Sequence, residues 1–251
     1  MPESPLLEFH NVTLMRGRKR ALDSISFEIR QGEHVAILGP NGCGKSSLIK
    51  AITRECYPVQ GSCLRILGRD VWNVFELRVM LGIVSNDLMA TCTRDITGRE
   101  AVLSGFFSSI GLWPNHHVTP EMESKADAIL ELLEVPHLAD RWLDEMSSGE
   151  ARRILVGRAL VHEPKALVLD EPTTSLDMRA SWELHQTLRK LAANGITIVM
   201  VTHHLPDLIP EIERVILLKE GRIFRDGPRG EVLTAESLSE LFGMDPVLLY
   251  P

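Results

Sequence analysis

The chain has few cysteines and no surplus of basic residues. Its cysteines show neither the paired spacing nor the neighbouring histidines of a zinc site, and we expect free thiols in a reducing compartment; they are Cys43, Cys56, Cys63 and Cys92. The formal net charge is −7, whereas general nucleic-acid binders usually carry a basic surplus. The composition therefore gives no strong nucleic-acid signal.

Signal-peptide and membrane-spanning patterns are also missing. The first residues lack the basic and apolar regions of a signal peptide, and no stretch approaches the roughly 18 consecutive apolar residues of a membrane span. We therefore expect a cytoplasmic chain without a membrane segment. With 251 residues, 44% hydrophobic and 24% charged, it is long enough for one large α/β domain.

The order of the predicted elements indicates an α/β fold. Apolar and polar residues alternate in two runs between residues 6 and 29, which predicts an antiparallel hairpin-like sheet. A buried strand at 34–38 then leads through a Gly-rich loop into a helix. Later strands alternate with helices, which predicts a parallel sheet with crossover helices; the strands and a final hairpin lie at 166–170, 196–201 and 215–224.

Residues from about 88 to 145 follow a different pattern. Helical periodicity without a strong strand predicts an inserted helical subdomain, and its apolar stripe contains Ala126, Ile129, Leu130, Leu132 and Leu133. We divide the single domain into a core at 1–88 and 146–230, the helical subdomain at 89–145 and a C-terminal tail at 231–251.

A phosphate-binding loop is the clearest motif. The pattern GxxxxGK[ST] stands between a strand and a helix, as it must; it comprises Gly39, Pro40, Asn41, Gly42, Cys43, Gly44, Lys45 and Ser46, with Ser47 following. The glycines let backbone N–H groups point at phosphates, and the helix adds its positive N-terminus. Lys45 is predicted to neutralise the β- and γ-phosphates of ATP and Ser46 to ligate Mg²⁺. We interpret Cys43 as a tolerated small residue.

A second motif follows the strand at 166–170. Asp170 and Glu171 stand at its carboxyl end, where ligands bind in parallel sheets. Asp170 is predicted to hold Mg²⁺, and Glu171 to act as the general base toward the attacking water. Alone, such a pair is more often a helix cap or a solvated pair, but behind a phosphate loop it indicates an ATPase.

The order of further motifs resembles the ATP-binding-cassette (ABC) ATPase family over nearly the whole chain. Met146-Ser147-Ser148-Gly149-Glu150 is similar to the LSGGQ signature, Ser175-Leu176-Asp177 looks like the D-loop, and His203 stands at the switch-histidine position. The resemblance implies a P-loop NTPase (RecA-like) core with an antiparallel β subdomain and an inserted helical subdomain.

In this family two domains sandwich two ATP molecules head to tail. The resemblance implies a dimer in which the signature faces the partner's ATP, with Asp177 in the D-loop; the signature residues are Ser147, Ser148, Gly149 and Glu150. Whether the dimer is homo- or heteromeric stays open, and the complete set of motifs in this chain favours the homodimer. Without the family context, the same residues are an N-cap with an acidic first turn, and both interpretations can hold together. The resemblance places His203 against the γ-phosphate, with the adjacent His204 leaving the assignment open by one position.

Two positions depart from the family pattern. The Q-loop position holds Asn86, which keeps the amide of glutamine but is one carbon shorter. The aromatic residue that stacks on adenine is replaced by Arg16, whose guanidinium either stacks on the base or is a solvated turn arginine. If it stacks, removing it weakens ATP binding several-fold.

The resemblance implies that the chain couples Mg·ATP-driven dimerisation to transport by separate transmembrane permease subunits, at the inner face of the cell membrane. The alternative is a soluble ABC ATPase acting on ribosomes or DNA, or in a stress response. Residues 103–113 resemble a subgroup linked to molybdate transport or photorepair. Within them Phe106, Phe107 and Trp113 either pack in the core or form a docking surface for a partner.

Overall fold

The computed structural model describes residues 4–85 and 95–245. In these residues the strands are β1 (Leu7–Arg16), β2 (Lys19–Ile29), β3 (Val35–Leu38), β4 (Cys63–Ile66), β5 (Leu81–Val84), β6 (Ala166–Asp170), β7 (Thr197–Thr202), β8 (Arg214–Lys219) and β9 (Arg222–Pro228). The α-helices are α1 (Lys45–Ile52), α2 (Val74–Met80), α3 (Gly98–Ser104), α4 (Pro120–Leu132), α5 (Ser148–Leu160), α6 (Met178–Ala193), α7 (Arg229–Val232) and α8 (Ala235–Phe242).

Contacts divide the chain into two compact units. The first comprises Met1–Val74 and Thr197–Pro251, and the second comprises Phe75–Ile196. In the part of the chain that the structure describes, no helix combines the length and the apolar character needed to cross a bilayer.

The first unit contains an antiparallel sheet in the order β2-β1-β4. The hairpin predicted from the alternating pattern is present, with β1 ending at Arg16 and β2 beginning at Lys19. Phe9 pairs with Phe27 across the two strands, and their rings stack with centroids 4.4 Å apart. Stacking on one face of the sheet is the cross-strand contact that stabilises antiparallel pairs.

The parallel strands of the first unit carry its buried layer. β3 lies between β7 and β8 and is parallel to both, and β9 runs antiparallel to β8. Every residue of β3 and of β7 is buried, as the continuous apolar runs predicted. The carboxyl ends of β3 and β7 lie side by side, because Leu38 pairs with Thr202.

The second unit combines a parallel strand pair with helices. β5 pairs with β6 in parallel register, from Leu81 opposite Ala166 to Val84 opposite Leu169. Helices α3, α4 and α5 pack together, and Gly157 in α5 allows their close approach. A β-carbon there would lie 3.0 Å from Leu133 and 3.3 Å from Val102, which is tighter than ordinary contact.

Candidate nucleotide-binding site

The phosphate loop joins β3 to α1 in the first unit, with a conformation that depends on its glycines. Gly42 and Gly44 have φ of 81° and 118°, in the left-handed region that disfavours side chains. A β-carbon on Gly44 would also lie 2.6 Å from the carbonyl oxygen of Ala21. Asn41, Gly42 and Ser46 are exposed, so the loop is open to a ligand.

Lys45 is fixed in place by the loop that precedes it. Its side chain is buried, and its Nζ donates hydrogen bonds to the carbonyl oxygens of Gly39 at 2.8 Å and Pro40 at 3.1 Å. Lys45 is also the first residue of α1, whose N-terminal N–H groups favour anions. The Lys45 ammonium group is therefore held over the loop before a phosphate binds, and little side-chain entropy is lost on binding.

Backbone hydrogen bonds connect the phosphate loop to the turn between β8 and β9. The Gly221 N–H donates to the carbonyl oxygen of Cys43 at 2.8 Å, and the Asp23 N–H donates to that of Gly221 at 2.8 Å. Burial raises the pKa of the Cys43 thiol, although the charge of Lys45 acts in the opposite direction. A protonated thiol is a poor nucleophile, which agrees with our interpretation of Cys43 as a tolerated small residue.

His203 follows directly on β7. Its ring is half-buried and lies against that of the exposed His204, with centroids 3.8 Å apart. The preceding residue, Thr202, accepts a hydrogen bond at its carbonyl oxygen from the N–H of Gly39, at 3.3 Å. The structure thus places the backbone before His203 directly against the first residue of the phosphate loop.

Arg16 is an exposed residue at the end of β1. It stands opposite Lys19 across the β1–β2 turn, with Gly17 at φ 61° between them. This position fits both interpretations of Arg16 that the sequence left open. Asn86 and Cys92 lie outside the described residues.

In the second unit, Asp170 ends β6 and Glu171 begins the following turn. Glu171 has φ of 48°, which is uncommon for a residue with a side chain. The hydroxyl of Thr174 lies 3.4 Å from the Glu171 carboxylate, and the Thr174 N–H donates to the Glu171 carbonyl oxygen at 3.2 Å. The turn therefore brings Thr174 against both the side chain and the backbone of Glu171.

Arg152 is a buried cation near Asp170 that the sequence analysis did not single out. It is 2% exposed on α5, and burial lowers the pKa of its guanidinium while the charge of Asp170 acts in the opposite direction. The two side chains carry opposite charges, and their attraction favours the charged form of the buried guanidinium. Its signal in the sequence is an arginine within the apolar run that includes Ile154 and Leu155.

The signature residues form the N-terminus of α5. Ser147 is the N-cap, and the Glu150 carboxylate accepts hydrogen bonds from the Ser147 N–H and hydroxyl, both at 2.8 Å. Burial raises the pKa of Glu150, but these hydrogen bonds and the charges of Arg141 and Arg153 together lower it below its usual value. The capping arrangement that the sequence suggested is therefore present in the structure.

The signature and the D-loop contact each other within this unit. The hydroxyl of Ser148 donates to the carbonyl oxygen of Ser175 at 3.1 Å. A β-carbon on Gly149 would lie 2.6 Å from that of Ala180 in α6, so the position excludes any side chain. Asp177 caps α6 by accepting a hydrogen bond from the Ala180 N–H at 2.7 Å.

The predicted residues thus form two groups. The phosphate loop, Arg16 and His203 belong to the first unit, and Asp170, Glu171, the signature and Asp177 belong to the second. The first group presents backbone N–H groups and a fixed ammonium to an anion. The second presents two consecutive acidic residues, Asp170 and Glu171, and a capped helix N-terminus.

Comparison with known proteins identifies the family. Residues 22–174 match the family described as ABC transporter. The chain is 34% identical over 244 residues to the uncharacterised ABC transporter ATP-binding protein YlmA of Bacillus subtilis (strain 168). The alignment covers 94% of this chain and 90% of YlmA. The chain therefore belongs to the ABC transporter family, as one of its ATP-binding proteins.

Solved structures agree with this assignment. The ADP conformation of MJ1267, an ATP-binding cassette of an ABC transporter, superimposes with a TM-score of 0.81 at 26% identity, covering 95% of this chain and 98% of MJ1267. The cassette MJ0796, solved as a dimer in a post-hydrolysis state with ADP and Pi, gives a TM-score of 0.73 at 27% identity, covering 88% and 98%.

These findings confirm the predicted P-loop NTPase fold and the ATPase activity. The chain is an ATP-binding and ATP-hydrolysing transporter subunit, and the soluble non-transport ATPase is the less supported alternative.

Proposed function

We propose that Lys45, Ser46, Asp170, Glu171 and His203 carry out ATP hydrolysis in this chain. The observation that carries the proposal is the buried Lys45 ammonium, held over the phosphate loop by two carbonyl oxygens. The loop N–H groups bind the phosphates, and Lys45 neutralises their charge. Glu171 accepts a proton from the water that attacks the γ-phosphorus, and ADP and inorganic phosphate leave. His203 contacts the γ-phosphate.

The residues of this chain also fit Mg²⁺. Mg²⁺ prefers oxygen ligands, and the chain offers the exposed hydroxyl of Ser46 and the carboxylate of Asp170. These two residues would hold the ion, which would neutralise charge on the phosphate oxygens during hydrolysis.

We further propose that the active form is a homodimer. The signature residues Ser147, Ser148, Gly149 and Glu150 face the ATP of the second copy, with Asp177 in the same interface. The dimeric MJ0796 cassette supports this arrangement, as does the capped N-terminus of α5. Each chain carries a complete set of these residues, so two identical copies form two complete sites.

Trp113 is the residue that we propose to contact a membrane partner. Phe107 stacks on His116 at 4.1 Å and Phe106 packs edge-on against His162 at 5.5 Å, so both rings have internal contacts. Trp113 is 60% exposed, and the neighbouring Ile110 is 45% exposed. Contiguous exposed apolar patches mark partner surfaces, and we propose that Trp113 and Ile110 belong to one.

This surface belongs to the wider arrangement that we propose for the chain. A core at 1–88 and 146–230, with a helical subdomain at 89–145 and a tail at 231–251, works at the inner face of the membrane with separate permease subunits. Residues 103–113 support membership of the subgroup linked to molybdate transport or photorepair.

Affinity purification tests the transporter arrangement. Tagged Glu171→Gln protein, purified from gently solubilised cells with Mg·ATP, is expected to carry an integral membrane permease that mass spectrometry identifies. The same protein with Trp113→Ser added is expected to lose the permease while still dimerising. Recovery only from the soluble fraction, with ribosomal or DNA-associated proteins, would contradict the proposal.

Replacing Arg16 distinguishes its two interpretations. If its guanidinium stacks on adenine, Arg16→Ala weakens ATP binding several-fold, while Arg16→Tyr preserves it because an aromatic ring also stacks. Titration with a fluorescent ATP analogue measures both. Arg18→Ala, two residues away in the same exposed turn, is the control and should bind normally. Unchanged affinity of Arg16→Ala would identify Arg16 as a solvated turn residue.

A further inference from the structure

A buried carboxylate lies beside the switch histidine without a part in the chemistry above. Asp207 is 3% exposed and follows β7 in a short 3-10 helix, Leu205–Asp207. It accepts a hydrogen bond from the hydroxyl of Thr202, which has no exposed surface. Burying a carboxylate and a hydroxyl is costly unless they hydrogen-bond to each other. Their hydrogen bond is therefore part of what holds this turn together.

The Thr202 hydroxyl makes a second hydrogen bond, to the backbone after His203. Its oxygen accepts the N–H of His204 at 3.0 Å, while its hydrogen goes to Asp207. The Asp207 N–H in turn donates to the carbonyl oxygen of His204 at 3.3 Å. Both backbone polar groups of His204 are therefore fixed by this pair of residues.

The backbone before His203 is fixed as well, because the Thr202 carbonyl oxygen accepts the N–H of Gly39. His203 thus lies between two anchored peptide groups, one held by the phosphate loop and the other by the Thr202–Asp207 pair. The ring of His204 packs against that of His203 at 3.8 Å and limits its rotation. Side chains that act on a reacting group need this kind of support, since small displacements lower the rate strongly.

We propose that Thr202 and Asp207 are positioning residues that hold His203 in the orientation for γ-phosphate contact. The proposal rests on the function proposed above for His203. A purely structural pair would anchor the chain between β7 and β8 without influencing the chemical step, and the two roles predict different kinetics.

Matched substitutions at Thr202 separate the two roles. Thr202→Val keeps the branched shape that suits a strand but removes the hydroxyl, and Thr202→Ser keeps the hydroxyl. We expect Thr202→Val to lower kcat for ATP hydrolysis about tenfold with unchanged affinity for a fluorescent ATP analogue. Thr202→Ser should restore kcat to within about twofold of the unmodified chain, because its hydroxyl makes the same hydrogen bonds.

A double-substitution experiment supplies the decisive readout. His203→Ala should lower kcat, and adding Thr202→Val should lower it no further, because residues that act through one group are not additive. Additive losses, or full activity in Thr202→Val, would overturn the positioning role and leave the role of His203 intact. Unchanged kcat in His203→Ala would instead overturn the proposed role of His203 itself.

If thermal melting shows that Thr202→Val is not folded, Asp207→Asn provides the same test. Asparagine has the same size and still accepts a hydrogen bond, but without the charge that strengthens it. We expect a smaller loss of kcat, roughly three- to fivefold, again with unchanged nucleotide affinity and no further loss in His203→Ala. A loss of thermal stability with normal kcat would show a structural role only.

Discussion

Glu171→Gln is expected to lower kcat for ATP hydrolysis by about 10²- to 10⁴-fold, the usual contribution of a general base. Glutamine has the same shape as glutamate, so the turn held by Thr174 remains, but its amide does not accept a proton from water. ATP binding should persist, and the protein should elute as a dimer with Mg·ATP. Phosphate release and size-exclusion chromatography measure the two effects.

The matched control for this substitution is Glu131→Gln. Glu131 lies on the exposed side of α4, so the same change of carboxylate to amide there should leave hydrolysis unchanged. Hydrolysis by Glu171→Gln at more than about a tenth of the normal rate would assign the proton transfer to another group.

Lys45→Ala is expected to weaken ATP binding by at least about 100-fold, the usual range when one partner of a buried charge pair is truncated. The lost ammonium is buried and already oriented, so neither solvent nor another side chain replaces it easily. ATP raises the melting temperature of a protein in proportion to the logarithm of its affinity. Thermal melts with and without Mg·ATP should therefore show stabilisation of the unmodified chain and almost none in the variant.

Lys50→Ala is the control for this charge removal. Lys50 lies in the same helix, α1, but is exposed at its last turn, away from the phosphate loop. It should keep the ATP-dependent rise in melting temperature. If ATP raised the melting temperature of Lys45→Ala as much as that of the unmodified chain, the loop would bind phosphates without this ammonium.

The sequence predicted the elements around the phosphate loop because the motif itself requires them. The motif binds phosphates only between a strand and a helix, and β3 and α1 stand in that order. β6 was predicted with its observed bounds, since an apolar run ending in Asp170 has little ambiguity. Local composition dictates these features.

Elsewhere the predicted bounds and faces were less accurate. The final hairpin was predicted to end near residue 224, but β9 continues to Pro228 because an edge strand tolerates proline at its end. Leu132 was grouped with the apolar stripe of α4, yet it is 41% exposed while Leu133 is buried. One residue along a helix turns the side chain by about 100°, to a different face.

The side-chain contacts of the site were beyond the sequence patterns. The Lys45 and Thr202–Asp207 hydrogen bonds join residues five or six positions apart, but they depend on side-chain orientations that residue patterns do not encode. The burial of Arg152 depends on how α5 packs in the fold. Helix α8 in the tail was also missed, although Thr234 caps it and Leu238 and Leu241 give it a buried face. Its pattern spans barely two turns, too short a window for periodicity to be clear.

The hydrogen bond from Ser148 to Ser175 has a mechanical consequence. The family pattern has glycine at this position of the signature, and glycine has no hydroxyl to make the bond. Here the signature and the D-loop are tied by that hydroxyl and by the close packing of Gly149 on Ala180. These two contacts link the loops mechanically, so in the homodimer that we propose a displacement of either loop by the second copy would be passed to the other.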